Sequence, residues 1–271
     1  MVVQHNLQAA NTNRMLGQNV KAVQKSTEKL SSGYQVNRAA DDAAGLSISE
    51  KMRNQIRGIN QAVKNSEDGI SLIQTAEGNM NEIHSILQRM GELATKAAND
   101  VNATEDRTAI KDEMDQLTKE IDSISEKAAF NGTKLLTGSF KNKQLQVGAV
   151  AGENLEITIS AMSAKAIGIS SLKVSTHAAS ASSMTKISEA IKKVSAARSK
   201  LGAIQNRLDY TINNLKNYSE NLTAAESQIR DTDMATEMTN YSKNNILQQA
   251  AQSMLAQANQ STQGVLSLLQ G

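Results

Sequence analysis

The sequence has 271 residues, with 29 Lys and Arg against 27 Asp and Glu, no Cys, Pro or Trp, and only two Phe and four Tyr. Without Cys there is no disulfide scaffold, thiol catalysis or cysteine metal site, and a net charge of +2 gives no electrostatic case for nucleic acid or an anionic membrane surface. Average usage would place about 14 prolines in such a chain; their absence favours long unbroken helices, and the scarcity of aromatic residues argues against one large globular core.

Residues 1–16 show no basic run followed by an apolar segment, so no cleavable secretory signal is read there. No apolar run reaches the ~18 residues of a membrane span. The expectation is a chain that stays in the cytoplasm or leaves by a route reading an uncleaved signal. From 1 to 20 only Arg14 is formally charged, and from 244 to 271 no residue is. Both ends keep helical apolar spacing, through Leu16, Val20, Val23 and Leu30 and through Leu247, Ala251, Met254 and Ala258. A helix whose polar positions are Gln, Asn, Ser and Thr suits burial on all sides against other copies, since a charge there would be desolvated in every subunit. In a free subunit such weak helices are expected to be unfolded.

Over 47–99 the positions Ile48, Met52, Ile56, Ile59, Val63, Ile70, Ile73, Met80, Ile83, Leu87, Met90 and Ala94 recur at three- and four-residue steps or their sum. This is a coiled-coil seam, with a shift expected where Ile86 adjoins Leu87. Unbroken, the helix would measure ~80 Å. A second helix follows Thr104, read as its cap, with the seam Ile110, Met114, Leu117, Ile121, Ile124 and Ala128, and stops at the turn Asn131-Gly132. Between 135 and 174 the period changes: Leu145, Val147, Leu155, Ile157 and Ile159 alternate around Ala151-Gly152-Glu153-Asn154, which reads as a hairpin. The Ser/Ala stretch 175–183 reads as a linker. A third helix then runs from Met184 through Ile187, Ile191, Val194, Leu201, Leu208, Ile212, Leu215 and Leu222 to Ile229, with Ala197, Ile204, Tyr218 and Ala225 widening its apolar face.

No catalytic or metal site is read. His5, His84 and His177 lie on separate segments, and no nucleotide-binding or hydrolase motif occurs. Asp41-Asp42 and Asp231/Asp233 read as caps or solvated surface, the cluster of Asp112, Glu113 and Asp115 as a wet helix face, and Met52, Met80, Met90 and Met114 as core. Asn131-Gly132-Thr133 fits a glycosylation acceptor, but its turn role accounts for it.

Longer segments go beyond generic coiled coil. Glu28-Lys29-Leu30-Ser31-Ser32-Gly33, Asn37-Arg38-Ala39-Ala40-Asp41-Asp42-Ala43-Ala44-Gly45-Leu46 and Ser49-Glu50-Lys51-Met52-Arg53 resemble the N-terminal signature of bacterial flagellins. Asn65-Ser66-Glu67-Asp68-Gly69-Ile70, Phe130-Asn131-Gly132-Thr133-Lys134-Leu135-Leu136, Leu201-Gly202-Ala203-Ile204-Gln205-Asn206-Arg207-Leu208, Asn221-Leu222-Thr223-Ala224-Ala225-Glu226-Ser227 and Gln257-Ala258-Asn259-Gln260 are similar to the same family. The resemblance implies a mainly α fold, with long coiled-coil helices forming a rod, a small β-hairpin, and termini paired as a filament core. Its segments would be a filament-core helix and linker over 1–44, rod helices over 45–140, a hairpin and linker replacing variable outer domains over 141–183, a rod helix over 184–230, and a second core helix over 231–271. The core residues would be Leu7, Leu16, Val20, Val23, Leu247, Met254, Leu255, Leu266 and Leu269.

The same resemblance implies a non-enzymatic subunit without cofactors that polymerises into the flagellar filament for swimming. It would be secreted unfolded by the flagellar type III apparatus, with an export chaperone on its C-terminal segment and hook-filament junction and cap proteins as neighbours. It also implies recognition by Toll-like receptor 5 through Gln88, Arg89, Glu92, Leu93 and Glu113, with Gly91 standing where the family often has a long side chain. Thr262 replaces a frequent Pro and should let the last helix run on. The rival readings are a hook-filament junction protein, which shares the terminal design, and a coiled-coil adhesin or secreted effector, which leaves the uncharged ends unexplained.

Overall fold

A computed structural model describes residues 6–270, with the helix backbone alone over 262–270. Two compact units emerge, one formed by 1–54 with 221–271 and the other by 55–220, and the boundary falls inside two of the helices. In chain order the elements are α1 (Leu7–Ser32), α2 (Ala43–Ala97), α3 (Thr104–Lys127), β1 (Ala129–Phe130), β2 (Thr133–Lys134), β3 (Lys143–Gln146), β4 (Asn154–Ile157), α4 (Ala164–Ile167), α5 (His177–Arg230) and α6 (Met234–Gln270).

In the unit of 55–220, α2 buries Ile59, Ala62, Ser66, Gly69, Ile73, Ala76, Met80, Ile83, Leu87, Met90, Ala94 and Ala97. Every step in this line is three or four in alternation, an uninterrupted heptad seam, with Leu93 also buried beside Ala94. The expected shift near Ile86 therefore does not occur; Ile86 is only half-buried, as are Val63 and Ile70. Small residues hold many of the seam positions because partners come close: a Cβ on Gly69 would stand 2.5 Å from Leu145 Cδ2 and 3.4 Å from Leu208 Cδ1. Helix α5 answers with Ser180, Ser183, Ile187, Ala190, Val194, Leu201 and Leu208, again at heptad steps with Ala197 and Ile204 half-buried between them. It runs antiparallel to α2, as Arg198 on Glu77 (3.3 Å) and Ser219 on Asn60 (3.3 Å) show. Tyr218, expected on the buried face, is 48% exposed.

Helix α3 returns beside α2 with Ile110, Met114 and Ile121 buried. Thr104 is its first residue, not its cap; Ala103 occupies that position and its N–H donates to the Asp106 carboxylate at 3.1 Å. At Asn131 (φ 46°) and Gly132 (φ 76°) both central residues of the turn take positive φ, so the chain reverses into the β1–β2 hairpin. Strands β3 and β4 pair antiparallel with Leu145 opposite Leu155, and Leu155, Ile157 and Ile159 bury their side chains. The amide of Asn65 fixes this hairpin to α2 by donating to the Gln146 carbonyl at 3.1 Å. Asp122 of α3 accepts from the Ala164 N–H at 2.8 Å and so holds α4.

The Ser/Ala stretch before Met184 is not a linker. Helix α5 starts at His177, because Thr176 caps it by accepting from the Ala179 N–H at 3.2 Å and small side chains fit the crowded first turns. Ser183 both accepts from the Lys173 N–H (3.0 Å) and donates to its carbonyl (2.7 Å), tying the preceding loop to the helix.

In the other unit, α1 and α6 pack along one another. They run antiparallel: Asn6 Nδ2 donates to the Ala258 carbonyl at 3.0 Å, and Lys29 faces Glu237 at 3.7 Å. Among the described residues both terminal segments are thus helical, and α1 and α6 are paired. Each junction has its cap. Asn6 accepts from the Ala9 N–H, Asp42 from those of Ala44 and Gly45, and Asp233 from those of Ala235 and Thr236. Gly33 closes α1 in the left-handed region at φ 75°, which lets Tyr34 pair with Asp231 as a single antiparallel bridge. Two backbone bonds frame it, Gln35 N–H to Arg230 O (2.7 Å) and Thr232 N–H to Gly33 O (2.9 Å).

Candidate self-assembly surface

The inward line of α1 is Ala9, Thr12, Leu16, Asn19, Val23, Ser26 and Leu30, and that of α6 is Glu237, Tyr241, Asn244, Gln248, Ala251, Leu255 and Ala258. Both keep heptad steps, and six of these fourteen residues, Thr12, Asn19, Ser26, Glu237, Asn244 and Gln248, are polar. The outward faces also carry large apolar side chains: Leu7 is 76% exposed, Ile246 66%, Met254 52% and Leu247 42%, and Met15, Met234 and Met238 are exposed with them. A soluble surface helix keeps most such side chains to its inward stripe. Covering an exposed Leu, Ile or Met fully is worth about 1.5–3 kcal/mol. A second copy laid on α6 beyond residue 244 gains that without desolvating an ion, since no charged side chain occurs there.

The core residues read from the sequence therefore separate into two sets. Leu16, Val20, Val23 and Leu255 are half-buried within the α1/α6 pair, whereas Leu7, Leu247 and Met254 face outward. Leu266 and Leu269 lie outside the residues whose side chains are described. Met15, Met234, Met238 and Ile246 join the outward set without having been read from the sequence, although their helical spacing from residues already named is a usable signal.

A second surface lies in the other unit. Arg89 donates through Nε (3.1 Å) and Nη2 (3.0 Å) to one oxygen of Glu113, and through Nη1 to Glu92 at 3.1 Å. These two carboxylates, Glu113 foremost, raise the guanidinium pKa above its ordinary value. Gln88 is exposed nearby and shares a 3.2 Å contact with His84 Nε2. Leu93 is only 3% exposed, so its side chain belongs to the core. Arg89, Glu92, Lys96, Asp106 and Glu113 border a groove of ≈ 450 Å³. Gly91 leaves space above it, for a Cβ there would meet only Ile187 Cγ2, at 3.9 Å.

The carboxylate pairs act as caps and surface groups. Asp42 and Asp233 are helix caps, and Asp41 accepts from the N–H groups of Asn37 and Arg38 and meets Lys25 at 2.9 Å. Asp115 pairs with Lys111, and Asp112 is solvated. Among the described residues no group of three His, Cys, Asp or Glu side chains could hold a metal ion, and no helix is long and apolar enough to cross a membrane. His5 lies outside the described residues.

Comparison with known proteins gives these surfaces a context. The family model of the bacterial flagellin N-terminal helical region matches residues 3–141, and that of the bacterial flagellin C-terminal helical region matches 184–269. The flagellin of Halalkalibacterium halodurans is 53% identical over 99% of the chain and 100% of its own length. That of Bacillus subtilis is 49% identical over 99% and 100%, and the flagellar filament 33 kDa core protein of Treponema phagedenis is 45% identical over the same shares. Among solved structures, Bacillus cereus flagellin aligns with a TM-score of 0.50 at 32% identity over 60% of this chain and 94% of that one. A putative flagellar hook-associated protein from Vibrio parahaemolyticus shares the fold, with a TM-score of 0.60 at 14% identity over 70% of this chain and 100% of that one. The chain belongs to the bacterial flagellin family, whose members are not enzymes but the structural subunits of the extracellular flagellar filament.

Proposed function

We propose that the chain builds the filament by stacking the outward apolar faces of α1 and α6 against other copies. The observation that carries this reading is the set of large apolar side chains that those helices leave exposed, Ile246, Leu247 and Met254 among them, in a stretch without charged residues beyond 244. Segments 1–44 and 231–271 form the filament core, 45–140 and 184–230 the helical layer around it, and 141–183 takes the place of outer domains. The subunit leaves the cell unfolded through the flagellar type III apparatus, carries an export chaperone on its C-terminal segment, and meets junction and cap proteins at the filament ends. The low charge of both ends supports that route. Electron microscopy of purified monomer mixed with filament seeds tests the reading against a chain lacking 244–271. Long filaments from the intact protein alone support it; short caps or no assembly from the intact protein would favour the junction reading.

A second surface supports recognition by Toll-like receptor 5. The Arg89–Glu113–Glu92 cluster presents charge on one exposed face, with Gln88 beside it. Leu93 contributes by holding the helix in place. Gly91 supplies no side chain to such a contact, so signalling strength is the quantity to measure. A receptor reporter assay on Arg89→Ala and Gly91→Arg checks this: the first should lower the response and the second raise it, and no response to any form would remove the receptor reading.

A further inference from the structure

An open helical assembly needs two different surfaces on each copy, because a surface that pairs with itself closes a dimer. The unit of 55–220 carries two such surfaces of opposite charge. Helix α3 holds eight acidic against four basic residues. Residues 184–208 of α5 hold six basic and one acidic. The charges are also in register. Asp106, Glu113 and Glu120 recur every seven residues on α3, and Lys186, Lys193, Lys200 and Arg207 do so on α5. Each set therefore follows one edge of its helix at intervals of about 10.5 Å.

Some of these groups are engaged within the chain. Asp106 accepts from the Ala103 N–H at the start of α3, Glu113 holds Arg89, and Lys193 donates to the Ile167 carbonyl at 3.3 Å. Others stand exposed on the same edges or beside them: Asp112, Glu120 and Glu126 on α3, and Lys192, Lys200 and Arg207 on α5. None of these six enters an ion pair among the described residues. Between the basic side chains lie Ala196, Ser199 and Ala203, all exposed and small enough to let another helix approach.

We propose that the acidic outer face of α3 in one copy packs along the basic outer face of α5 in the next, so that matched seven-residue charge spacing sets the lateral register between subunits. The proposal rests on the filament reading and adds the contact it leaves undefined. A second copy is the occupant, because the two faces are complementary in sign and in spacing and occur on every subunit. The pairs are rim contacts whose contribution falls with salt. Their first effect is on which surfaces meet.

Charge reversal tests it. One variant carries Lys192→Glu, Lys200→Glu and Arg207→Glu; the other carries Asp112→Lys, Glu120→Lys and Glu126→Lys. Each is checked by circular dichroism for a helical content equal to the parent's and then offered filament seeds at low salt. Each alone should lose growth, since like charges would face one another. An equimolar mixture should grow, because the acidic α5 of one variant meets the basic α3 of the other. Growth of either variant alone at the parent's rate overturns the proposal, and so does a mixture of two folded variants that stays as inactive as its components. A variant that lost its helices would be replaced by the single reversals Lys200→Glu and Glu120→Lys, read in the same way. If the unaltered chain fails to extend seeds, the filament reading itself falls, which separates the two failures.

Discussion

Arg230 lies over the ring of Tyr34, its guanidinium carbon 4.5 Å from the ring centroid, and reaches Glu50 at 3.1 Å from the same position. The stack joins the end of α5 to the segment that follows α1, where the Tyr34–Asp231 bridge pins the backbone. Arg230 is 14% exposed and its Nε is buried without a partner, so its planar face and not only its charge is in use. Cation–π stacking of a partly desolvated Arg contributes about 0.5–2 kcal/mol. Arg230→Ala and Tyr34→Leu should each destabilise the unit formed by the two ends. Their double mutant should lose less than the sum in denaturant unfolding. Strict additivity would show that the stack contributes nothing.

The long helices are legible in the sequence because Ile, Leu and Met recur at heptad steps, and because the chain has no proline to break a helix. The seam itself is less so. Ser49, Ala62, Ser66 and Ala76 are buried while Ile48 is 46% exposed, so a search for apolar periodicity follows α2 slightly off its true contact line. Close approach selects small side chains there, and their burial depends on a partner helix remote in sequence. The terminal surface is legible from missing charge, but not which residues face outward, since that depends on which side α1 and α6 turn to each other. The start of α5 is hidden because Ser and Ala signal a linker by composition, whereas a Thr176 cap and tight packing make a helix of them.

The glycines of α2 separate packing from propensity. A methyl group added at Gly78 would meet nothing within 4 Å, and one at Gly91 would make only an ordinary contact. Gly78→Ala and Gly91→Ala should therefore each stabilise by about 0.5–1 kcal/mol, the helix-propensity difference. Gly69 is buried against Leu145 and Leu208, so Gly69→Val should overpack the hairpin and cost about 1–3 kcal/mol. Chemical denaturation of the three variants checks the opposite signs; a stabilising Gly69→Val would show that the hairpin yields freely.

Acid should loosen the unit of the two ends in a defined window. The Lys25 ammonium and then the Arg38 N–H hold the Asp41 carboxyl below its ordinary 3.8, and the Thr236 hydroxyl with the Thr236 and Ala235 N–H groups does the same for Asp233. Both groups have lower pKa values folded than unfolded. Their contribution is complete above about pH 4 and is lost as pH falls through the depressed folded values. Asp233→Asn keeps an acceptor but removes the charge, so its stability should fall less steeply below about pH 4 than the parent's. A pH series of thermal melts followed by circular dichroism measures this, and parallel acid limbs would assign the loss to other groups.

The outward residues of α6 allow assembly to be broken while the fold is kept. Leu247 and Met254 are 42% and 52% exposed, so Leu247→Lys and Met254→Lys place an ammonium in water and should leave the monomer's helicity and melting nearly unchanged. In a filament the same ammonium would be buried in every copy with no Asp or Glu after residue 244 to meet it. Desolvation of such an ion costs several kcal/mol, more than the apolar contact it replaces could return. Filament growth from seeds should therefore be lost in both variants. Leu255 faces α1 instead, half-buried, and Leu255→Lys should lower the melting temperature of the monomer as well as abolish growth. Sedimentation of seeded mixtures beside monomer melts resolves the two behaviours. If Leu247→Lys and Met254→Lys polymerised at the parent's concentration, the outward apolar face would not be the surface that copies share.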